Sequence, residues 1–215
     1  MASGATGVTI EPRKKPKQDR SQGMVERILA AAQTLIGEGG AKALTTNSVA
    51  EQAGLSVGSL YQYFPNKEAI VLELARRWLA AFRPIPTHYA EKPPPADWAA
   101  FSSDFRAFTR AIARVYEENR ALLPILEAMH AHPDLRQIGQ VHDQGIVATH
   151  AAWFRRVDPT LAADTAERLG LLVLETGHVS FATALTRQAI AYDRVIEDVI
   201  VMHEALLARH LQFGR

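Results

Sequence analysis

The sequence predicts an all-α protein with a small N-terminal and a larger C-terminal domain. Apolar residues recur at three- and four-residue spacing from residue 22 almost to the C-terminus, which is the period of amphipathic helices. No stretch keeps the alternation of apolar and polar residues expected of a half-buried strand. Glycines and prolines cut the helical pattern into segments of ordinary helix length, and a proline-rich stretch from residue 82 to 98 divides the chain in two.

Composition restricts the classes of function. Hydrophobic side chains make up 47% of the 215 residues, enough for a sizeable core. Lys and Arg number 24 against 23 Asp and Glu, so any surface for a polyanion must be local. The lack of cysteine excludes disulfides, thiolate metal sites and a cysteine nucleophile. No secretory signal is seen, and no apolar run reaches the about 20 residues of a membrane span, so we expect a cytoplasmic protein.

Residues 1–20 are predicted to be a flexible basic arm. They contain too few apolar side chains to build a packed core. Two functions remain open for this arm: a solubilising tail, or a segment that follows DNA phosphates. Its charged residues are mostly cationic, with Arg13, Lys14, Lys15, Lys17 and Arg20 against Glu11 and Asp19.

The N-terminal domain is predicted for residues 21–67. It begins with an amphipathic helix that Gly37–Gly40 end, because glycine adopts the left-handed cap conformation without a steric penalty. Two shorter helices follow, with Thr45 and Ser56 as their N-caps, since short hydroxyl side chains accept hydrogen bonds from first-turn amides. The third helix is expected to reach about residue 63, and Gly54 lies in the turn before it.

Three short helices, the second and third joined by a glycine-containing turn, form a helix-turn-helix. Ala53 and Gly54 would be small because two helices cross closely there. A fourth helix, capped by Asn66, is predicted to extend to about Phe82. The apolar residues that would lock the first three helices together are Leu44, Val49, Ala50, Ala53, Leu55, Leu60 and Phe64.

The motifs of this region resemble those of the tetracycline-repressor (TetR) family. The matching stretches are "ILAAA" in the first helix, "VAEQAG" in the second, "SVGSLYQYF" in the third and "NKEAI" in the fourth. The resemblance is dense over about residues 24–74, and beyond the proline-rich stretch it persists only as an all-helical pattern. It implies a non-enzymatic transcriptional regulator that binds a DNA operator as a homodimer, with an unidentified small-molecule effector and no other cofactor.

DNA binding by this domain has to be explained with few charges, because residues 53–70 carry only Lys67 and Glu68. Hydroxyls, backbone amides and helix N-termini can bind phosphates instead. By position, the resemblance implies phosphate contacts from Thr46, Tyr61, Tyr63 and Lys67, with Thr45 and Gln62 as weaker candidates. Ser56, like Thr45, stands at a helix start whose amides could bind a phosphate.

Base reading is predicted for the exposed face of the third helix and the start of the second. Asn47 can pair with adenine, and Val57 can contact a thymine methyl group. Gly58 would let the backbone approach the DNA closely, and Ser59 can bond to several base edges. This set lacks an arginine for guanine, so we expect DNA shape to contribute to recognition.

Several of these residues also have a purely structural interpretation. Tyr61 could pack across the first helix, and Tyr63 could cover the fourth. Gly58 could simply ease the crossing of two helices. Lys67 is a candidate because of its position directly after the residues "YFPN"; a lysine alone would not indicate DNA binding.

The C-terminal part, residues 68–215, is predicted to be a ligand-binding and dimerisation domain. The prolines between residues 84 and 95 indicate a linker near its start. After this linker the chain shows only helical periodicity. Helices are predicted around residues 101–112, 122–130, 133–157, 161–187 and 192–211.

The last two predicted helices carry apolar surfaces wider than a single stripe. Two copies packed as a four-helix interface would cover such surfaces and give twofold symmetry. The alternative is that all of them belong to the intramolecular core. The residues concerned are Leu169, Leu172, Val173, Val179, Phe181, Val195, Ile196, Val199, Ile200, Leu206 and Leu207.

The middle helices of this domain mix aromatic residues, methionine and histidine. Such a mixture could line an apolar pocket with a few polar groups, although each residue alone is as well explained by the core. The pocket itself is implied by the family resemblance rather than by spacing. The candidate ligand-binding residues are Phe101, Phe105, Phe108, Met129, His130, His142, Trp153 and His178.

Two Glu-x-x-His motifs, Glu127 to His130 and Glu175 to His178, support a different class of function. Two such motifs and two further glutamates form a di-iron site in helical bundles, and Glu117, Glu118 and Glu204 could supply the latter. Residues three apart on a helix also pair without any metal. We expect no metal, because a metal enzyme leaves the N-terminal domain unexplained. A third class is a helix-turn-helix that binds protein instead of DNA.

Overall fold

A computed structural model describes residues 19–125, 133–187 and 191–213. Within these ranges the regular structure is helical, with no residue in a strand, so the predicted all-α class is confirmed. The α-helices are α1 (Asp19–Gly39), α2 (Thr46–Gln52), α3 (Val57–Tyr61), α4 (Lys67–Phe82), α5 (Pro84–Glu91), α6 (Trp98–Glu118), α7 (Pro133–Val157), α8 (Ala163–Thr186) and α9 (Tyr192–Ala208).

The described residues divide into two compact units. Unit 1 takes those of Met1–Trp78 and Ala121–Arg136, and unit 2 takes those of Leu79–Arg120 and Gln137–Arg215. The division therefore lies inside α4, eleven residues beyond the predicted domain end at residue 67. The basic arm predicted for residues 1–20 lies almost wholly outside the described residues.

Unit 1 is built on the apolar face of α1. The three- and four-residue spacing predicted this face, and Ile28, Ala32 and Ile36 are buried on it. Helix α1 ends where predicted, because Gly40 takes a φ of 67° and its N–H donates to Ile36 O at 2.9 Å. The helix-turn-helix residues Leu44, Val49, Ala50, Ala53, Leu60 and Phe64 are buried with it, and Leu55 is half-buried.

An ion pair joins the first and fourth helices of unit 1. The Arg77 guanidinium donates to both carboxylate oxygens of Glu26, at 2.7 and 2.8 Å, and to Glu73 at 3.0 Å. The hydrogen bonds from Arg77 lower the pKa of Glu26. A bidentate arginine–carboxylate pair fixes the relative orientation of the two side chains better than a single contact does. Its exposure to water limits its contribution to stability.

Unit 2 has an aromatic core, and part of the predicted linker belongs to it. Pro84 occupies the first turn of α5, where a missing N–H costs nothing, so the proline-rich stretch begins with a helix and the linker prediction was wrong for that part. Tyr89 of α5 packs edge-on against Phe108 and next to Trp153, with ring centroids 5.5 and 5.6 Å apart. The extended residues that follow α5 lead to Asp97, whose carboxylate caps α6 by accepting from Ala100 N–H at 2.8 Å.

The segment after α7 is tied to the end of the chain by a buried carboxylate. Asp158 accepts hydrogen bonds from the N–H and hydroxyl of Thr160, at 2.9 and 2.6 Å, and from Gln212 N–H at 3.0 Å. Burial raises the pKa of Asp158, but these hydrogen bonds outweigh burial and leave the pKa below its usual value. Helix α8 therefore begins after this turn, at Ala163, slightly later than predicted.

Helices α7 and α8 cross at Gly170 with no room for a side chain. A Cβ at this position would lie 2.9 Å from Val147 O and 3.1 Å from His150 Cβ. We expect Gly170→Ala to lower the unfolding free energy, because overpacking costs about 1–3 kcal/mol and exceeds the about 1 kcal/mol gained in helix propensity. Urea denaturation measures the change. The matched control is Gly145→Ala on α7, where no described atom beyond the local helix backbone lies within 4 Å of the added carbon, and it should be neutral or stabilising.

The last two helices of unit 2 contribute to the core and also expose apolar residues. Of the residues predicted to form a dimer face, Leu169, Val173 and Phe181 are buried, as are several on α9. That part of the prediction belongs to the intramolecular core. The large hydrophobic side chains that remain exposed on these helices are Leu171, Leu172, Val179, Val201 and Met202.

Helix α8 is also apolar enough to be compared with a membrane span. Its most apolar 18-residue window has a mean hydropathy of 1.3, and one third of that window is buried in the structure. By length and composition alone it meets the criterion for a span, as core helices of soluble proteins often do. Its buried residues include Leu169, Val173 and Phe181 in the core of unit 2.

Candidate nucleic-acid interface and ligand site

Helix α2 begins with the predicted cap. Thr45 Oγ1 accepts from Ser48 N–H at 3.0 Å, and Ser48 Oγ accepts from Thr45 N–H at 3.0 Å, which is a capping box. The Thr45 hydroxyl is therefore engaged in holding the helix start. The first-turn amides of Thr46 and Asn47 have no partner inside the helix, because that geometry leaves early N–H groups without an acceptor. Such amides can donate to a phosphate.

Helix α3 is shorter than predicted. Its N-cap is Ser56, which accepts from Ser59 N–H at 3.1 Å, and the two serine hydroxyls lie 2.8 Å apart. The helix ends at Tyr61, not near Tyr63, because the Tyr63 and Phe64 amides both bond to Leu60 O as the chain turns towards Pro65. Its five residues still include Val57, Gly58 and Ser59, the predicted base-reading set.

The turn between α2 and α3 is fixed by a backbone conformation and by one arginine. Gly54 takes a φ of 64° and is exposed, so its small size is required by the backbone and not by a close helix crossing as predicted. Arg27 of α1 donates from Nη2 to Ala53 O at 2.6 Å. This role of Arg27 was not predicted. The sequence indication was the position of Arg27 directly before Ile28, which is buried on the apolar face of α1.

The predicted DNA-binding residues all lie at or near the surface. Tyr61 is 40% exposed, and its hydroxyl lies 3.3 Å from Thr46 Oγ1. This contact brings the beginning of α2 and the end of α3 together with two hydroxyls side by side. Exposed in addition are Thr45, Asn47, Ser56, Gly58, Gln62 and Lys67, whereas Thr46, Val57, Ser59 and Tyr63 are half-buried.

Gly58 has no internal packing reason to be a glycine. A Cβ at this position would lie 3.9 Å from Ser56 Oγ, which is ordinary contact, and Gly58 has a negative φ. The interpretation that it eases a helix crossing is therefore wrong. Its position on the exposed side of α3 instead leaves the backbone open to an approaching molecule.

Lys67 is the first residue of α4. Asn66 Oδ1 accepts from Ala69 N–H at 2.8 Å, so the predicted cap is confirmed. The ammonium group and the positive end of the helix dipole are thus close in sequence and on one element. An anion bound here would be attracted by both.

Four of the predicted ligand residues lie together in unit 2. Phe101, Phe105 and Phe108 of α6 pack around Trp153 of α7, with ring centroids between 5.5 and 6.1 Å from the indole. His142 is half-buried, and its pKa is lowered by burial and then by the nearby Arg83. Met129 and His130 lie outside the described residues.

Two buried histidines in the same core were not predicted. His150 of α7 and His203 of α9 are 3% and 2% exposed. His150 lies 5.3 Å from Phe108, and His203 lies 6.0 Å from Phe105, both between ring centroids. Their spacing in the sequence could have indicated this burial. His150 precedes Phe154 by four residues, and His203 precedes Leu207 by four, so each lies on an apolar stripe of its helix.

Burial lowers the pKa of both rings to about 4, and for His203 the nearby His150 adds to the shift. Both histidines are therefore neutral at pH 7. His150 Nδ1 lies 3.4 Å from Gly170 O, and His203 Nε2 lies 2.7 Å from Thr176 Oγ1. The other nitrogen of each ring, His150 Nε2 and His203 Nδ1, is buried without a hydrogen-bond partner among the described residues.

The second Glu-x-x-His motif is engaged in the fold. His178 Nδ1 lies 2.5 Å from the hydroxyl of the buried Tyr116, and Glu175 is exposed. Glu204 accepts from Ser102 Oγ at 2.5 Å and pairs with Arg106. Within the described ranges no three metal-ligating side chains come together. The first motif, Glu127 to His130, lies outside those ranges.

Comparison with protein families decides the class of this protein. Residues 28–74 match the family described as bacterial regulatory proteins of the tetR family, and residues 97–207 match a tetracyclin repressor-like C-terminal domain. The chain belongs to the TetR family. This TetR-family protein is thus a helix-turn-helix regulator of transcription, and the first match covers every candidate DNA-binding residue.

Two similar curated proteins match over a short part of the chain. The chain is 39% identical over 66 residues to the HTH-type transcriptional repressor KstR2 of Rhodococcus jostii, covering 30% of this chain and 32% of that protein. It is 44% identical over 54 residues to KstR of the same organism, covering 25% and 26%. The chain thus spans about a third or less of the length of these relatives.

Solved structures of TetR-type regulators share the fold over nearly the whole chain. PfmR from Thermus thermophilus covers 93% of this TetR-family protein and 100% of itself, with a TM-score of 0.65 at 23% identity. The fatty acid degradation regulator FadR from Bacillus halodurans covers 91% and 100%, with a TM-score of 0.69 at 17% identity. At these identities the likeness establishes the fold.

Proposed function

We propose that this TetR-family protein is a repressor that binds a palindromic operator as a homodimer and leaves it when a small molecule binds unit 2. The observation that carries the proposal is the helix-turn-helix of unit 1, which matches the family and presents its hydroxyls and helix starts at the surface. The similar proteins KstR2 and KstR are named HTH-type transcriptional repressors. We further propose a cytoplasmic location, no membrane partner and no cofactor besides the effector.

In the proposed complex, the phosphates are bound by Thr46, Tyr61, Tyr63 and Lys67 together with the first-turn amides of α2 and α3. Thr45 and Ser56 are N-caps, and the Ser59 hydroxyl contacts that of Ser56, so these three hydroxyls are weaker candidates for direct contacts. Base edges would be read by Asn47 and Val57, with the backbone at Gly58 close to the DNA. Recognition helices of a dimer would then lie about one turn of DNA apart.

Release of the operator is proposed to be a population shift. Helix α4 starts with Lys67 in unit 1, and its last residues belong to unit 2, where Phe82 packs edge-on against Tyr116 at 5.1 Å. An effector that changes the preferred placement of α4 would change the spacing of the recognition helices. To empty an operator 100-fold, the effector must favour the non-binding state by about 2.7 kcal/mol.

Selection of duplexes from a random pool tests the proposal. We expect the full chain to enrich a palindrome whose half-sites are about one helical turn apart. Failure to enrich any duplex would contradict DNA binding and favour a helix-turn-helix that contacts protein. Enrichment of a single half-site without a palindrome would contradict the dimer.

Gly58 offers a substitution that separates folding from binding. We expect Gly58→Ala to leave the unfolding free energy unchanged or raised by up to about 1 kcal/mol, because the added carbon meets no obstacle and alanine favours helix. Operator affinity should fall about tenfold if the backbone approaches the DNA there. Anisotropy titration of a labelled operator measures the affinity. Gly37→Ala on α1, where the added carbon would make ordinary contact, is the control that should keep full affinity.

A further inference from the structure

The two buried histidines of unit 2 present hydrogen-bond acceptors to their aromatic surroundings. A backbone carbonyl can only accept, so the contact of His150 Nδ1 with Gly170 O places the proton on Nδ1. His150 Nε2 then carries a lone pair. This nitrogen is the one that has no partner in the described part of the chain.

The hydrogen bonds of Thr176 determine which nitrogen of the His203 ring carries the proton. Thr176 Oγ1 donates its single proton to Leu172 O at 2.5 Å, so towards His203 it can only accept. His203 Nε2 therefore carries the proton, and Nδ1 has the lone pair. His203 Nδ1 likewise has no partner within the described ranges.

Unsatisfied buried acceptors are costly, and a leucine or phenylalanine at either position would avoid that cost. Among the described residues no donor bonds to either nitrogen, and the rings packed against the two histidines include those of Phe105, Phe108 and Phe154. An apolar site with a few convergent polar groups is the usual form of a small-molecule pocket. Two neutral histidines in an aromatic cluster therefore indicate what kind of ligand this site accepts.

We propose that the effector is an uncharged, mainly apolar molecule whose hydroxyl group donates a hydrogen bond to His150 Nε2 or His203 Nδ1. The inference rests on the effector response proposed above. A ketone or an ether has no proton to donate, so the lone pairs of its oxygen would lie against the lone pair of the ring nitrogen. A carboxylate would meet the same lone pairs, and two cations of this unit, Lys92 and Arg106, are already paired with Asp104 and Glu204.

Matched pairs of small aromatic probes test the inference on the wild-type protein without DNA. The pairs are phenol with anisole, 2-naphthol with 2-methoxynaphthalene, and 4-phenylphenol with 4-methoxybiphenyl, measured by isothermal titration calorimetry at pH 7.5. We expect at least one hydroxyl compound to bind tenfold or more tightly than its methyl ether, and 2-naphthoate to bind no tighter than the ether. If no hydroxyl compound binds more tightly than its ether, as when water already satisfies both rings or nothing binds, the inference is overturned.

Substitution of the histidines identifies the acceptor. His150→Leu or His203→Leu should remove the tenfold preference while leaving the affinity for the ether within about twofold, and His88→Leu at an exposed position should keep the preference. A double variant that keeps the preference would contradict the proposal. Should the variants not fold, nitrogen NMR of the wild type decides: the unprotonated nitrogen of one buried ring must shift with the phenol and not with the ether.

Operator binding separates this inference from the proposed function. If the preferred hydroxyl compound binds and also weakens operator affinity, both the inference about the ligand and the proposed function are supported. Operator binding without any hydroxyl preference removes the inference alone. Tight binding of the hydroxyl compound with unchanged operator affinity removes the effector role and contradicts the inference as stated, although a ligand site exists.

Discussion

Acidification from pH 7 to about pH 4 should destabilise the folded protein by about 3 kcal/mol for each of the two buried histidines. His150 and His203 have an unfolded-state pKa of 6.5, and burial lowers the folded-state pKa to about 4. Between these values the unfolded chain binds protons that the folded chain does not, so the unfolding free energy falls as the pH falls. Each unit of difference corresponds to about 1.4 kcal/mol.

The direction of the pKa shift and the pH range of the stability loss distinguish the histidine effect from that of carboxylates. Asp158 has a lowered pKa, so its contribution is present above its usual pKa near 3.8 and is lost below that. Most of the histidine effect falls between pH 6.5 and 4, above that range, and the histidine contribution should be flat above pH 7. Half-buried His142, whose pKa is also lowered, adds a smaller change of the same sign.

Urea denaturation between pH 7.5 and 4 measures this dependence. The double variant His150→Leu/His203→Leu should lose most of the slope between pH 6.5 and 4, whatever its stability at pH 7. The exposed His88→Leu should keep the wild-type slope. An unfolding free energy that stays constant from pH 7 to 4.5, or a double variant with an unchanged slope, would contradict neutral buried rings.

Charges placed on the exposed valines of the last two helices should abolish dimerisation and weaken operator binding about 100-fold. Val179 of α8 and Val201 of α9 are each 58% exposed, an unusual exposure for residues of helices whose other faces form the core. In the proposed dimer they are covered by the second copy. Arginine at both positions would bring four uncompensated charges into that interface, a cost of several kcal/mol. A monomer contacts one half-site and loses the phosphate contacts of the other.

The control is another exposed valine. Val141 of α7 is 63% exposed, so Val141→Arg adds a charge of the same kind outside the last two helices. Analytical ultracentrifugation should show a dimer for the wild type and for Val141→Arg, and a monomer for Val179→Arg/Val201→Arg. A double variant that remains dimeric with unchanged operator affinity would place the interface elsewhere.

The architecture of unit 1 could be predicted from the sequence because its signals are local. The caps Thr45, Ser56 and Asn66 each bond to an amide three residues away, so the residue type and the spacing suffice to find them. The length of α3 could not be predicted, because its end depends on how the following turn packs. The reason for Gly54 was misjudged since a left-handed φ and a close crossing both select glycine.

The proposed ligand site of unit 2 depends on contacts that are distant in sequence. Periodicity placed Phe101, Phe105 and Phe108 on one stripe, and their burial agrees with it. Nothing local indicates that His150 meets Gly170 or that His203 meets Thr176, 20 and 27 residues away. The linker prediction failed in part for a related reason: prolines also start helices, and Tyr89 is drawn into the aromatic core.

The measurement that tests the central claim most directly is the operator affinity of Tyr63→Phe/Lys67→Ala. This double variant removes one hydroxyl and one ammonium while keeping the packing of the half-buried ring and a good residue for the helix start. Anisotropy titration with the selected palindrome should give a dissociation constant at least tenfold higher, with a lower salt dependence. Arg114→Ala, which removes an exposed charge from α6, should bind as the wild type does. Equal affinities for the wild type and the double variant would contradict DNA binding through this surface.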